Sequence, residues 1–396
     1  MRQYTGMNGP TSFTIAVPES RLEHIRAGLR AASFSYAPEG SGWEYGVDVA
    51  YLRELVDYWI ETYDWRRWEA HLNRFPQFSV RIDDVDVRFQ HIKGSGGRGP
   101  ILMTHGWPGS IFEFDAAAER LAFPERFGGR AEDGFDLVIP SLPGFGFSTR
   151  PARPIGPRKV SQMWRTLMVE HLGYERFFLQ GGDFGSSVSS WLAHDAPNHV
   201  AGLHLNLCIP MPVPASEAVP GEVEWRASYE AIQRRESAYM MEHMTKPQTI
   251  GAALSASPVA AAAWIIEKFY GWADTKGDIE SRFTKDQLIT NLMIYLVNEA
   301  VTSSIWMYAG TAAEAGQGLL SGLNVNVPTG VALFPAEFIP QAPRDAMARN
   351  WNLQRLTQMP EGGHFAAFEE PERFADDVRE FFLGLTLATH RNGRED

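Results

Sequence analysis

One carboxylate stands among small residues in Gln180-Gly181-Gly182-Asp183-Phe184-Gly185-Ser186-Ser187. An apolar run, Phe177-Phe178-Leu179, precedes it, and a helical pattern through Val188, Trp191, Leu192 and Ala193 follows. A strand, a tight turn and a helix in that order form a nucleophile elbow, with the reactive side chain at its apex. Gly181 and Gly185 lie two residues to either side of Asp183, where absent side chains let strand and helix approach. Such elbows usually carry serine. An aspartate there attacks an electrophilic sp3 carbon and forms an alkyl ester, which points to epoxide opening or carbon–halogen displacement. The plainer reading is a glycine-rich turn with a helix-capping Asp.

The partners of such a nucleophile follow in chain order as acid and then histidine. Glu337 comes just after the apolar run Val331–Phe334, with Asp345 and Glu361 as rival acids. His364, in Glu361-Gly362-Gly363-His364-Phe365, lies shortly before the final helix. A second motif, His105-Gly106-Trp107-Pro108-Gly109-Ser110, follows another buried-type strand. The backbone N–H groups of Trp107 and Phe184 are placed to make a two-donor oxyanion hole. His105 reads as an organiser of that loop, since no suitably spaced acid or histidine supports a metal site. Ser141–Ser148 reads as a third loop of the cleft; its Gly144-Phe145-Gly146 falls short of a dinucleotide fingerprint. No cofactor and no metal are expected.

The elements that position these residues are legible from periodicity. Residues 1–75 read as a helical N-terminal region, with Leu22, Ile25 and Leu29 on one face and Asp48 capping a second helix. Residues 76–207 begin with a hairpin, Phe78–Ile82 and Val85–Phe89, that turns at Asp83-Asp84. Apolar runs at Ile101–Met103, Leu137–Ile139, Phe177–Leu179 and Leu203–Leu207 then alternate with helical segments. This is an α/β pattern, a mainly parallel sheet covered by helices, with the hairpin as an antiparallel edge. Residues 208–324 open with Pro210, Pro212, Pro214 and Pro220 and continue as helices, an inserted cap. Alternation returns in residues 325–396.

The chain of 396 residues is 44% hydrophobic, an ordinary globular composition, and carries a net charge of −12 without a basic run. Nucleic acid and anionic membranes are therefore poor partners. Cys208 is the one cysteine, which excludes an intrachain disulfide and is compatible with a reducing compartment. The segment Met1–Phe13 has neither the basic start nor the apolar core of a signal peptide, so a cytoplasmic location is expected.

Taken together, His105–Ser110, Gln180–Ser187, Val327-Pro328-Thr329-Gly330 and Gly362–Glu369 resemble the epoxide hydrolases of the α/β-hydrolase superfamily, of the microsomal and juvenile-hormone type. So does the N-terminal Leu72–Phe78. The resemblance implies an eight-stranded sheet, Glu337 as the triad acid, and two cap tyrosines over the epoxide oxygen. Glu236–Met240 with Thr245-Lys246-Pro247 matches the first, giving Tyr239, and Thr290–Met293 through Ser303–Tyr308 matches the second, giving Tyr308. From the residues alone Tyr229, Tyr270 and Tyr295 are rivals. Phe184 departs from the family's usual Trp, and the family's animal membrane anchor has no counterpart here, as in a bacterial, soluble relative. The expected substrate is a small epoxide, hydrophobic or aryl if the cap aromatics Trp225, Trp264, Phe269, Tyr270, Trp272 and Trp306 face it. Detoxification, secondary metabolism and a homodimer are all compatible with the chain. A haloalkane dehalogenase and a catalytically silent binding protein are the competing readings, separated by halide release and by failure to form an adduct with reactive epoxides.

Overall fold

A computed structural model describes residues 9–315 and 322–385. Among the described residues nine strands form one sheet: β1 (Thr11–Phe13), β2 (Gln77–Ile82), β3 (Val85–Ile92), β4 (Arg98–Thr104), β5 (Phe135–Pro140), β6 (Phe177–Gly181), β7 (Val200–Leu205), β8 (Val325–Leu333) and β9 (Trp351–Gln358). Their spatial order is β1-β2-β3-β5-β4-β6-β7-β8-β9. The first three pair antiparallel, β3 joins β5 antiparallel, and all later pairs are parallel. The sheet thus exceeds the expected eight strands by β1, which lies in the N-terminal region read as helical. Three residues are too short a run to show alternation; β1 exists because it finds the free edge of β2.

The helices follow the sequence periodicity closely. Asp48 accepts hydrogen bonds from the backbone N–H groups of Ala50 and Tyr51 and so caps the helix Val49–Glu61. Between β7 and β8 lie the helices Glu222–Glu236, Ala238–Thr245, Pro247–Ser255, Pro258–Trp272, Lys285–Val297 and Ala300–Glu314. The last two are divided at Glu299, which takes φ 54°. Among the described residues no single helix is long and apolar enough to cross a membrane.

Chain order reverses between β4 and β6, since β5 lies on one side of β4 and β6 on the other. In open parallel sheets the crevice beyond such a reversal is the usual ligand site. Thr104 pairs with Gly181 across these strands, so the loop after β4 and the turn after β6 emerge side by side. Leu333 pairs with Gln358 at the ends of β8 and β9, which brings the loops bearing Glu337 and His364 together in the same way.

Close approach at this crevice depends on glycine. A Cβ on Gly185 would lie 1.8 Å from the Thr104 carbonyl oxygen, and one on Gly181 would lie 2.2 Å from the Gly185 carbonyl oxygen. Both obstacles are backbone and neither can swing aside. Gly185→Ala is expected to destabilise the fold by about 1–3 kcal/mol, the usual cost of forcing atoms into a packed core. Gly271→Ala, in the helix Pro258–Trp272 and with its nearest neighbour 3.9 Å away at Glu267 Oε1, is the control. It should be neutral or stabilising by up to about 1 kcal/mol. Denaturant unfolding of the two variants checks both signs.

Candidate active site

Asp183 sits at the turn between β6 and the helix Phe184–Asp195 with φ 47° and ψ −127°. A side chain at positive φ is strained by about 1–3 kcal/mol and persists only where its surroundings fix it. The strain aims the carboxylate away from the helix that follows: no side-chain cap hydrogen bond forms. The helix-capping alternative is therefore set aside by the geometry. The backbone N–H of Trp107 donates to Asp183 Oδ1 at 2.9 Å. Phe184 opens the helix, where backbone N–H groups lack intrahelical acceptors.

His364 Nε2 lies 3.4 Å from Asp183 Oδ2. Its Nδ1 lies 2.9 and 3.0 Å from the two oxygens of Glu337, and both side chains are buried. Asp183, His364 and Glu337 thus form one chain of contacts. The rival acids lie elsewhere: Glu361 pairs with Arg282, Lys276 and Arg373, and Asp345 is exposed. Burial opposes a charged imidazole, but the Glu337 and Asp183 carboxylates outweigh it and hold His364 well above the usual histidine range.

Helices between β7 and β8 and the loops of the sheet lock this constellation in place. The His364 N–H donates to the Trp272 carbonyl at 3.0 Å. Glu369 accepts from the N–H groups of Gly363 and Phe365 at 2.9 Å, fixing the histidine loop at two points, and from that of Asp274 at 2.8 Å, tying the loop to the end of the helix Pro258–Trp272. Helix Lys285–Val297 grips the Trp107–Ser110 loop: Asn291 Nδ2 donates to the Pro108 carbonyl at 2.9 Å, and Ser110 Oγ donates to Asn291 Oδ1 at 2.8 Å. The organising role expected of His105 is visible, since its Nε2 accepts from the Leu142 N–H at 3.1 Å and its Nδ1 lies 2.9 Å from the Gly106 carbonyl oxygen.

Tyr239 and Tyr308 meet over this floor with ring centroids 5.8 Å apart and nearly perpendicular planes. Tyr239 stacks on Trp107 at 5.3 Å, and Tyr308 packs edge-on against Phe184 at 4.7 Å. Burial, reinforced by the Asp183 charge on Tyr239 and by Tyr239 and then Asp183 on Tyr308, raises both phenols above their ordinary range, so each keeps its proton. Of the rivals, Tyr270 stacks on Trp43 and the Tyr295 hydroxyl donates to the Gly109 carbonyl, while Tyr229 stacks on Trp225 in the wall of a cavity that Tyr239 and Tyr308 do not line. His243 closes the aromatic box at 4.9 Å from Trp107 and 4.8 Å from Tyr308. Burial, aided by the Lys268 charge, pushes it down to about 3, so it is neutral. The Lys268 ammonium lies 4.7 Å from the centre of the Tyr239 ring. His243, Lys268 and Glu369 were not singled out in the sequence as site residues; a buried polar residue in a helix facing an aromatic cluster shows no spacing signal of its own.

Two cavities meet at Asp183 and share no other lining residue. One, of about 460 Å³, runs past Ser187, Met211, Trp225, Tyr229 and Trp351. The other, of about 20 Å³, lies against His364, Asn206 and Glu113. Of the cap aromatics expected at the substrate only Trp225 lines the large cavity. Phe269 stacks on Phe365, Trp272 stacks on Phe338, and the Trp264 N–H donates to His243 Nε2 at 3.0 Å. Apolar mass in a helical layer goes first to its own packing.

The raised His364 pKa carries a direction that can be measured. Removing one carboxylate lowers it, so an NMR titration of the imidazole in Glu337→Gln should shift down relative to wild type. The stabilisation from the ionised triad is present at low pH, below the unfolded histidine pKa, and disappears as pH rises through the folded one. Identical titrations in the two proteins would show that Glu337 does not hold the charge on His364.

Known proteins resemble this chain along most of its length. Residues 10–114 match the family model for the epoxide hydrolase N terminus, and residues 99–230 match that for the alpha/beta hydrolase fold. A protein of Stigmatella aurantiaca named "Putative epoxide hydrolase" is 40% identical over 95% of this chain and 86% of its own length. Epoxide hydrolase 1 of Sus scrofa is 35% identical over 94% of this chain and 88% of its own. The crystal structure of juvenile hormone epoxide hydrolase from the silkworm Bombyx mori superposes with a TM-score of 0.85 at 29% identity, covering 95% of both chains. With identity sustained across nearly the whole chain and the α/β-hydrolase fold carrying an aspartate at its elbow, the chain belongs to the epoxide hydrolases.

Proposed function

We propose that this hydrolase opens a small, predominantly hydrophobic epoxide to a vicinal diol through a covalent ester on Asp183. The observation that carries the reading is the single carboxylate held between a backbone donor and an imidazole, at the junction of a large cavity and a small one. Oδ1 is already held at the Trp107 N–H and becomes the ester carbonyl oxygen, which leaves Oδ2 to attack. Attack on one epoxide carbon breaks its C–O bond. Tyr239 and Tyr308, protonated and facing each other, donate hydrogen bonds to the departing oxygen and supply its proton. Positioned acid assistance of this kind is worth roughly a hundred- to ten-thousand-fold.

Ester formation removes the Asp183 charge. One of the two carboxylates that raise the His364 pKa is then gone, so the imidazolium gives up its proton, which returns to the tyrosine that protonated the epoxide oxygen, and the neutral imidazole becomes a base. It takes a proton from water, whose oxygen attacks Cγ of Asp183. The N–H groups of Trp107 and Phe184 stabilise the resulting oxyanion. Collapse breaks the acyl–oxygen bond, His364 returns the proton to the leaving diol oxygen, and the Asp183 carboxylic acid passes its remaining water-derived proton to His364, which restores the carboxylate and the imidazolium. Glu337 keeps the imidazole oriented throughout.

The large cavity, walled by Trp225, Tyr229, Met211 and Trp351, suits an apolar or aryl substituent. Residues 208–324 serve as the cap and residues 76–207 with 325–396 as the catalytic core, on the N-terminal region 1–75. The buried free Cys208 fits a reducing compartment, and we place the reaction in the cytoplasm. A halide product is disfavoured because the ring after the nucleophile, Phe184, offers no side-chain N–H to hold it.

Three variants separate the half-reactions. Incubated with styrene oxide or a bulkier aryl epoxide, His364→Gln should gain one substrate mass on the Asp183 peptide and release no further diol. Tyr239→Phe and Tyr308→Phe should instead slow ester formation, each by about tenfold or more, with little effect on its hydrolysis. No adduct in His364→Gln, or an adduct on another residue, would remove Asp183 from this role.

A further inference from the structure

The small cavity beside Asp183 is walled by elements that are far apart in the chain. Gly106, Trp107, Gly109 and Glu113 come from the loop and helical turn after β4; Gly182 and Asp183 from the elbow; Asn206 from the end of β7; and His364–Ala367 from the histidine loop. Its volume of about 20 Å³ exceeds the roughly 10–15 Å³ that one water requires and leaves no room for an organic substrate. A water in such a place also needs two to four polar partners. His364, Asp183, Asn206 and Glu113 supply them.

Glu113 and Asn206 are the polar members of this wall with no role in the steps above, and Asn206 Oδ1 already accepts from Gln180 Nε2 at 3.0 Å. Gly109 makes room for Glu113: a Cβ there would lie 2.0 Å from Glu113 Oε2. The carboxyl group is thus seated where the loop has been left bare. Removal from bulk water, with Asp183 reinforcing it and His364 opposing it, pushes Glu113 up to about 8, so at neutral pH it is largely an uncharged acid. A neutral carboxyl has a carbonyl oxygen that accepts a hydrogen bond without adding a second negative charge beside Asp183.

We infer that this chamber holds the water that cleaves the Asp183 ester, and that Glu113 positions it. The inference rests on the covalent reading given above and adds the place of the nucleophilic water and the residue that orients it. One water proton points to His364 Nε2 and is transferred there. The other is accepted by the Glu113 carbonyl oxygen and stays on the water oxygen. With both protons directed, the oxygen lone pair faces Cγ of Asp183, the C–O bond forms, and the acyl–oxygen bond to the diol breaks. The epoxide occupies the other cavity, so ester formation does not pass through this chamber and does not require Glu113. Glu113 is a positioning residue: it acts on the water, not on the epoxide.

The test is a single-turnover experiment with an aryl epoxide, following ester formation and ester decay separately by rapid quench and mass spectrometry. In Glu113→Leu the ester should form at a rate within about threefold of wild type and decay roughly ten- to a hundredfold more slowly, the penalty for a misplaced reactant. The ester should accumulate. Glu113→Gln keeps a carbonyl acceptor of the same reach and should recover most of the loss, decaying at least about fivefold faster than Glu113→Leu. Normal ester formation in each variant certifies its fold; if Glu113→Leu does not fold, Glu113→Ala takes its place with the same expectation. Ester decay in the apolar variant within about threefold of wild type would overturn the inference. So would formation and decay slowing in equal measure, which is the mark of a merely structural residue, or a Gln variant as slow as the apolar one. If wild type and His364→Gln both form no ester, the covalent reading itself falls, an outcome distinct from every one of these.

Discussion

The backbone of one residue is held where side-chain-bearing residues seldom go, and the geometry of the candidate site follows from that constraint. At φ 47° Asp183 cannot relax into the helix it precedes, so its carboxylate stands free at the crevice rather than capping the helix. The turn is held from both sides by contacts that only glycine permits, Gly185 against the Thr104 carbonyl and Gly181 against Gly185. The same closeness brings the Trp107 N–H within hydrogen-bond reach of the carboxylate. Strain of about 1–3 kcal/mol is held by the packing on both sides of the turn and leaves the carboxylate fixed in advance of any substrate.

Electrostatics then gives the site its timing. Two carboxylates flank one imidazole, and the imidazole is held charged while both are ionised. A reaction that neutralises Asp183 converts the same histidine from an ion-pair partner into a base without any movement of the fold. The two cavities complete the division: one admits an apolar molecule, the other is sized for a single water, and the carboxylate is common to both. The tyrosines stay protonated because they are buried near negative charge, which is the state a proton donor needs.

Much of this was written locally in the chain. The glycine spacing around Asp183 and the flanking glycines of His364 are short-range signals, and the strands of the core announce themselves as apolar runs. Glu337 was harder to separate from Glu361, because what decides between them is the pairing of β8 with β9 and the arginine and lysine partners that occupy Glu361. Tyr239 and Tyr308 sit in helices whose apolar pattern looks like any cap core; only the resemblance to relatives marked them. β1 was invisible because three residues have no period, and its place depends on an edge supplied some sixty residues later. Glu113 reads in sequence as an ordinary acidic residue in a first helical turn. Its setting becomes visible only when the bare Gly109, the end of β7 and the histidine loop are brought around it.

The central claim is that a protein oxygen, not a solvent oxygen, is the first to bond to the substrate. One turnover of excess enzyme with an aryl epoxide in water enriched in heavy oxygen tests this most directly. The account predicts a diol free of the label, with the label found instead in the carboxylate of Asp183. A diol carrying heavy oxygen after that single turnover, with Asp183 unlabelled, would mean that water attacks the epoxide directly and that no ester is formed.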